Sequence, residues 1–283
     1  MEILLSPSTR KSVDGFIATP SHAIGIFADQ GSGKYTVADY LARNILQLGD
    51  QQQIAEIHIV RPNDKGSIPI ENIRGIAGFL KLKSISNKTI ARVVIIEDAH
   101  TLSGEAQNAL LKTLEEPPRD TVIILTATSP SQLLATIASR IKPINLRPVN
   151  KATTIDFYQT EYAAKDIEKA WMISDGKPGL MSALLNNQEH ALLPYIESAK
   201  QILTGKKYDR LLMVDTLSKQ DLYQLFTGLL IVSTAAFKQA VNRENKQQIQ
   251  RWHDIREQSY QARKSLRNNP NSKLLLTDLM LSL

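Results

Sequence analysis

The sequence predicts an α/β chain, a doubly wound parallel sheet in its first half followed only by helices. Three observations predict it. Arg92-Val93-Val94-Ile95-Ile96 is an apolar, β-branched run that passes directly into Glu97-Asp98. An uninterrupted run of this kind reads as a strand buried on both faces, as parallel sheets require. A second short apolar run, Ala23-Ile24-Gly25-Ile26-Phe27, leads into a glycine turn, a lysine and a helix-patterned stretch, Val37 to Leu48. From about Ala191 onward the apolar spacing is helical throughout.

Taken in order, Met1 to Pro20 is weakly patterned and suits a short helix and loop. Strands follow at Ala23–Phe27, Ile54–Val60, Arg92–Ile96, Thr121–Thr126 and Pro143–Leu146. Between them, Ile70, Ile73, Ile76 and Leu80 place a helix over Ile68–Leu82. Ala106, Leu110 and Leu114 place another, which Pro117 and Pro118 stop. Pro148-Val149-Asn150 marks a boundary, and Lys151 to about Asn186 is helical and small. Leu222, Leu225, Phe226, Leu229, Leu230 and Val232 then form the apolar face of a bundle helix. The expected domains are 1–148, 149–190 and 191–283.

With 283 residues the chain can hold two or three domains. Lys+Arg 34 against Asp+Glu 28 gives a net +6, compatible with nucleic acid without demanding it. The absence of cysteine excludes disulfides and thiolate metal sites, a zinc held on cysteines included. No apolar run of membrane-spanning length and no signal-peptide pattern is evident, so a cytoplasmic protein with no membrane partner is expected.

The turn after the first strand carries the clearest chemistry. Ala28-Asp29-Gln30-Gly31-Ser32-Gly33-Lys34-Tyr35-Thr36 has the strand–glycine turn–lysine–helix context of a P-loop. Backbone N–H groups around Gly31, Ser32 and Gly33 can cradle a phosphate at the helix N-terminus, with Lys34 supplying positive charge. Two positions depart from the pattern. Ala28 stands where the first glycine is expected. Tyr35 stands where a short Ser or Thr hydroxyl would ligate magnesium. Thr36 is one residue, about 100°, further round the helix and points elsewhere. The loop's shape is therefore expected to survive, and its metal chemistry is not.

Glu97 and Asp98, at the strand end that faces the ligand crevice of a doubly wound sheet, suit a magnesium ion or a polarised water. The alternative is a buried strand whose Asp98 merely caps the next turn. Thr126 ends the fourth strand and Thr128 follows it, where their hydroxyls can satisfy turn backbone. His58, without neighbouring ligand types, reads as a sheet residue.

The stretch Asn108-Ala109-Leu110-Leu111-Lys112-Thr113-Leu114-Glu115-Glu116-Pro117-Pro118 closely resembles a segment of bacterial DNA polymerase III clamp-loader subunits, members of the AAA+ family. Ile70, Ile73 and Arg74 are similar to the same family. So are Leu133-Leu134-Ala135-Thr136-Ile137-Ala138-Ser139-Arg140 and the ending Asn269 to Met280. The resemblance implies an AAA+ domain, a helical lid and a helical collar that holds subunits in a ring. It implies that Arg140, in Ser139-Arg140-Ile141, is an arginine finger acting in trans. The plain alternative is a surface charge at a helix C-terminus. The family has a basic sensor after the Pro-Gly of the lid, and here Leu180 stands in its place. Together with Tyr35 this implies the non-hydrolysing, delta-prime type of subunit, with Glu97 and Asp98 as Walker B-like acids and Thr128 or Thr126 as the sensor facing the phosphate. ATP or ADP would be held weakly or not at all, magnesium is left open, and no zinc is held. The implied partners are tau/gamma- and delta-type subunits, the sliding clamp, and primed DNA through the assembled complex. Alternatives are an ATP-hydrolysing tau/gamma-type subunit, a P-loop small-molecule kinase, and a DNA-binding module outside replication.

Overall fold

A computed structural model describes residues 2–48, 55–81, 89–212, 219–266 and 271–283. The chain divides into two compact units, 1–150 and 151–283.

In the first unit five strands form one parallel sheet: β1 (Ala23–Phe27), β2 (Ile57–Val60), β3 (Arg92–Ile96), β4 (Thr121–Ala127) and β5 (Lys142–Asn145). Their spatial order is β2-β3-β4-β1-β5, so the connections change direction around β1. The crevice at such a switch point is where doubly wound sheets take ligands. Ile54 and Leu82, expected within a strand and a helix, lie outside the described residues.

Strand alternation divides the core into two halves. Val93 and Ile95 of β3, with Ile24, Ile26, Val122 and Ile124, face one side. There they meet Val37, Leu41 and Ile45 of helix α2 (Lys34–Leu46), and Phe16 of helix α1 (Pro7–Ala18). Val94 and Ile96 face the other side, against Ile73 and Ile76 of α3 (Ile70–Lys81) and Ala106, Leu110 and Leu114 of α4 (Gly104–Glu115). Every residue of β1 and β4 is buried. Strand β5 is an edge: only Ile144 is buried, and Pro143 is tolerated because one side of an edge strand needs no donor. A short helix, α5 (Ala135–Ala138), precedes it.

A partly buried charge anchors the start of β3. Arg92 donates to Asp120 at 2.6 Å and to the Leu80 carbonyl at 2.6 Å, at the N-terminal edge of the sheet.

The second unit is helical: α6 (Lys151–Tyr158), α7 (Ala164–Ser174), α8 (Pro178–Asn186), α9 (Leu193–Thr204), α10 (Lys207–Leu212), α11 (Lys219–Asn242), α12 (Lys246–Ser265) and α13 (Ser272–Ser282). Ala199, Ile202, Leu222, Leu225, Phe226, Leu229, Leu276 and Met280 form its main core. A second cluster joins Leu180 of α8 to Leu192, Ile196 and Ile231, across the expected boundary at 190/191. Contrary to the sequence expectation, one segment among the described residues, Asp221–Asn242, is long and apolar enough to cross a membrane by length and composition. Leu222, Leu225, Phe226 and Leu229 of that segment are instead committed to the bundle core.

Candidate functional site

The candidate residues gather at the C-terminal edge of the sheet. Ala28 prolongs β1, its N–H donating to the Ala127 carbonyl at 3.2 Å, and it is buried. It is not among the positive-φ residues, so the methyl that replaces the expected glycine strains nothing. The chain then turns through two left-handed glycines, Gly31 (φ 84) and Gly33 (φ 78), a geometry that a Cβ would oppose. Gly33 is the N-cap of α2 and brings no side-chain cap, which leaves the first turn of that helix open to a phosphate-like acceptor. Ser32 and Lys34 are half-buried.

Lys34 Nζ lies 3.9 Å from Asp98 Oδ1, an ion pair bridging the loop and the end of β3. Asp98 itself is left-handed (φ 47, ψ 50). Its N–H donates to Thr126 Oγ1 at 2.9 Å, and its carbonyl accepts from Thr101 Oγ1 at 2.8 Å. Asp98 makes no side-chain cap, so the reading of it as a helix cap fails. Ser103 caps α4 instead, accepting from Ala106 N at 3.1 Å. Of the two candidate threonines, buried Thr126 reaches the β3 end, and Thr128 is half-buried two residues further on.

Glu97 is held differently. Arg61 Nε donates to Glu97 Oε2 at 3.0 Å, and the same guanidinium lies 5.0 Å from the centroid of the Tyr35 ring. Tyr35 packs against the core formed by α2 and the sheet. Burial pushes its phenol above the usual range, and the Arg61 cation works against that rise. Thr36 is exposed. His100 lies 4.0 Å from Asp98 Oδ1, and its Nδ1 is buried without a hydrogen-bond partner. Burial lowers its pKa, Asp98 raises it, and Lys34 lowers it. His58 stacks on Phe79 with centroids 5.1 Å apart.

Arg140 is elsewhere. Strand β5 begins at Lys142, in register with Ile24 of β1, whereas the glycine loop follows Phe27. Arg140 therefore stands at the N-terminal edge of the sheet, about 17 Å of strand from the loop at ~3.3 Å per residue. Its Nη1 donates to the Thr136 carbonyl at 2.9 Å and its Nη2 to Glu115 Oε1 at 2.9 Å. Arg140 cannot serve a phosphate held by Gly31–Lys34 of its own chain. Leu180 is fully buried in a core of the second unit.

Two partners escaped the sequence. Arg61 looks like the first residue of a turn, Arg61-Pro62-Asn63, and only the pairing of β2 with β3 brings it to Glu97. Glu115 is hidden inside an amphipathic helix pattern. The one signal for Arg61 was a charged residue ending a strand next to the acidic strand end.

The sheet, the loop and the helical second unit define a P-loop NTPase-like α/β fold with a helical C-terminal part. The DNA polymerase III gamma subunit-related protein of Thermotoga maritima, 20% identical, shares this fold with a TM-score of 0.55 over 96% of this chain and 97% of that one. The family described as DNA polymerase III, delta subunit, matches residues 18–150. The delta' subunit of Haemophilus influenzae is 31% identical over 199 residues, 64% of this chain and 58% of that protein. That of Escherichia coli K12 is 34% identical over 122 residues, 42% of this chain and 36% of that protein. These alignments span less than two thirds of those relatives. Over these stretches the chain is similar to bacterial DNA polymerase III delta' subunits.

Proposed function

We propose that the chain is a stator subunit of an AAA+ clamp loader: it keeps the nucleotide-binding shape, does not turn over ATP itself, and offers Arg140 to a neighbouring ATPase subunit. The observation that carries this reading is the contrast between the two ends of the sheet. At the loop end, the charges that would meet a metal nucleotide are already compensated within the chain. Arg61 occupies Glu97 and Lys34 faces Asp98. Magnesium needs oxygen ligands at about 2.1 Å with near-octahedral geometry. Tyr35, packed beneath Arg61, supplies no such hydroxyl. The donor set suits a phosphate and does not suit the metal, and ATP or ADP is then held weakly or not at all. At the other end an arginine stands accessible, with its side chain 36% exposed.

In this reading the partners are tau/gamma- and delta-type subunits, met through helices of the second unit that act as lid and collar. The assembled ring opens a sliding clamp and closes it around primed DNA in the cytoplasm. A guanidinium is suited to the role because its planar fork stays charged and meets phosphate oxygens two at a time. The test is ATP turnover of a loader assembled with wild-type or Arg140→Ala chain, with clamp and primed DNA present. Lower turnover with intact assembly is expected. Equal rates would return Arg140 to the role of a helix-end charge, and phosphate release by the isolated chain, abolished in Lys34→Ala, would favour a tau/gamma-type ATPase.

A further inference from the structure

Resting on the reading of Arg140 as a finger, we propose that Glu115 is a positioning residue for it. Glu115 ends α4, and Arg140 follows α5; the chain brings them together across 25 positions. The guanidinium is held on two sides. Nη1 donates to the Thr136 carbonyl of α5, and Nη2 donates to Glu115 Oε1, each at 2.9 Å. A long arginine loses rotamer freedom when it meets a phosphate, and a finger already fixed in one orientation loses less. The carbonyl alone leaves the guanidinium able to swing about its Nη1 contact. A second acceptor on another element removes that freedom.

The pair is also built to be shared. The side chains are 36% and 50% exposed, so the carboxylate is solvated and does not bind the guanidinium tightly enough to withhold it. The α4–α5 junction is itself anchored. Gln107 Oε1 of α4 accepts from Leu134 N at 2.9 Å, just before α5, and Leu110 and Leu114 pack in the same cluster as Ile137. Glu115 thus presents Arg140 from a rigid element.

The test uses the assembled loader carrying Glu115→Ala, Glu115→Gln, Arg140→Ala, or Glu115→Ala with Arg140→Ala, with clamp and primed DNA present. Glu115→Ala should lower kcat by about two- to fivefold, the range an exposed ion pair accounts for, with KM for ATP unchanged. Glu115→Gln keeps an oxygen that accepts from Nη2 and should recover most of that loss. The double variant should be no slower than Arg140→Ala alone, since Glu115 acts only through the arginine. Multiplying losses in the double variant, a wild-type rate in Glu115→Ala, or a faster one, as a withholding latch would give, each overturns the proposal. A wild-type rate in Arg140→Ala is a separate result, because it overturns the finger itself.

Discussion

The guanidinium of Arg61 lies 5.0 Å from the centroid of the Tyr35 ring, and through Nε the same group holds Glu97 at 3.0 Å. A residue type at odds with the P-loop pattern is thus built into a small cluster of ring, cation and carboxylate. Arg61 is 56% exposed and Glu97 28%, so the ion pair by itself contributes little to stability. Its consequence is local: a cation already sits on one of the two acids that end β3.

The isolated protein should therefore show no ATP turnover above background, and neither Lys34→Ala nor Glu97→Gln should change that. Phosphate release from highly purified protein is the measurement. Tyr35→Thr restores the hydroxyl but removes the ring beneath Arg61, and should cost about 0.5–1 kcal/mol of stability by urea unfolding. A more stable variant would show that the ring contact is not favourable.

Two glycines should respond oppositely to alanine. A Cβ on Gly228, in α11, would lie 2.4 Å from the Tyr195 carbonyl oxygen of α9. Since backbone has to give way, Gly228→Ala should destabilise by about 2–3 kcal/mol. At Gly15, in the exposed middle of α1, a Cβ meets nothing within 4 Å. Gly15→Ala should stabilise by about 0.5–1 kcal/mol, because the unfolded chain loses freedom it would otherwise have. Thermal midpoints of the two variants falling on the same side of wild type would contradict this.

Acid should weaken the fold through its histidines. Burial lowers the pKa of both His58 and His190 from 6.5. The His190 Nδ1 accepts from Leu192 N–H at 3.1 Å, which only the unprotonated nitrogen can do. A lowered folded pKa means that the unfolded chain binds the proton first. The stabilisation is then complete above about pH 6.5 and is lost as pH falls towards the folded values. Urea midpoints should drop between pH 7.5 and 5.5, and the combined His58→Gln and His190→Asn variant should show a shallower drop. An unchanged slope would assign the acid sensitivity to other groups.

Much of the fold was legible because burial on both faces leaves a plain mark. Val93 to Ile96 and Val122 to Leu125 are apolar at every position, and only a strand between two helical layers asks for that. Gly31, Gly33 and Lys34 were equally readable, since left-handed backbone beside a helix start restricts the residue type sharply. Small boundary shifts arose where the signal was weakest. Edge strand β5 runs over Lys142–Asn145 instead of Pro143–Leu146, because exposed residues carry no burial pattern. β4 extends to Ala127, where the Ala28 N–H still finds a ladder partner.

The sequence by itself determined the parallel sheet, the loop at its switch point, the acids ending β3 and the helical character of the described residues after Lys151. These depend on periodicity and on local backbone demands, which neighbouring residues in the chain express together. Only the tertiary structure decided who partners whom: Arg61 with Tyr35 and Glu97, Lys34 with Asp98, Thr126 with the Asp98 N–H, and Glu115 with Arg140. It also decided that Arg140 and the glycine loop lie at opposite edges of one sheet. Charged side chains at strand and helix ends leave no periodic trace. Their partners are set by strand order and register, which bring together residues such as Arg61 and Glu97, 36 positions apart.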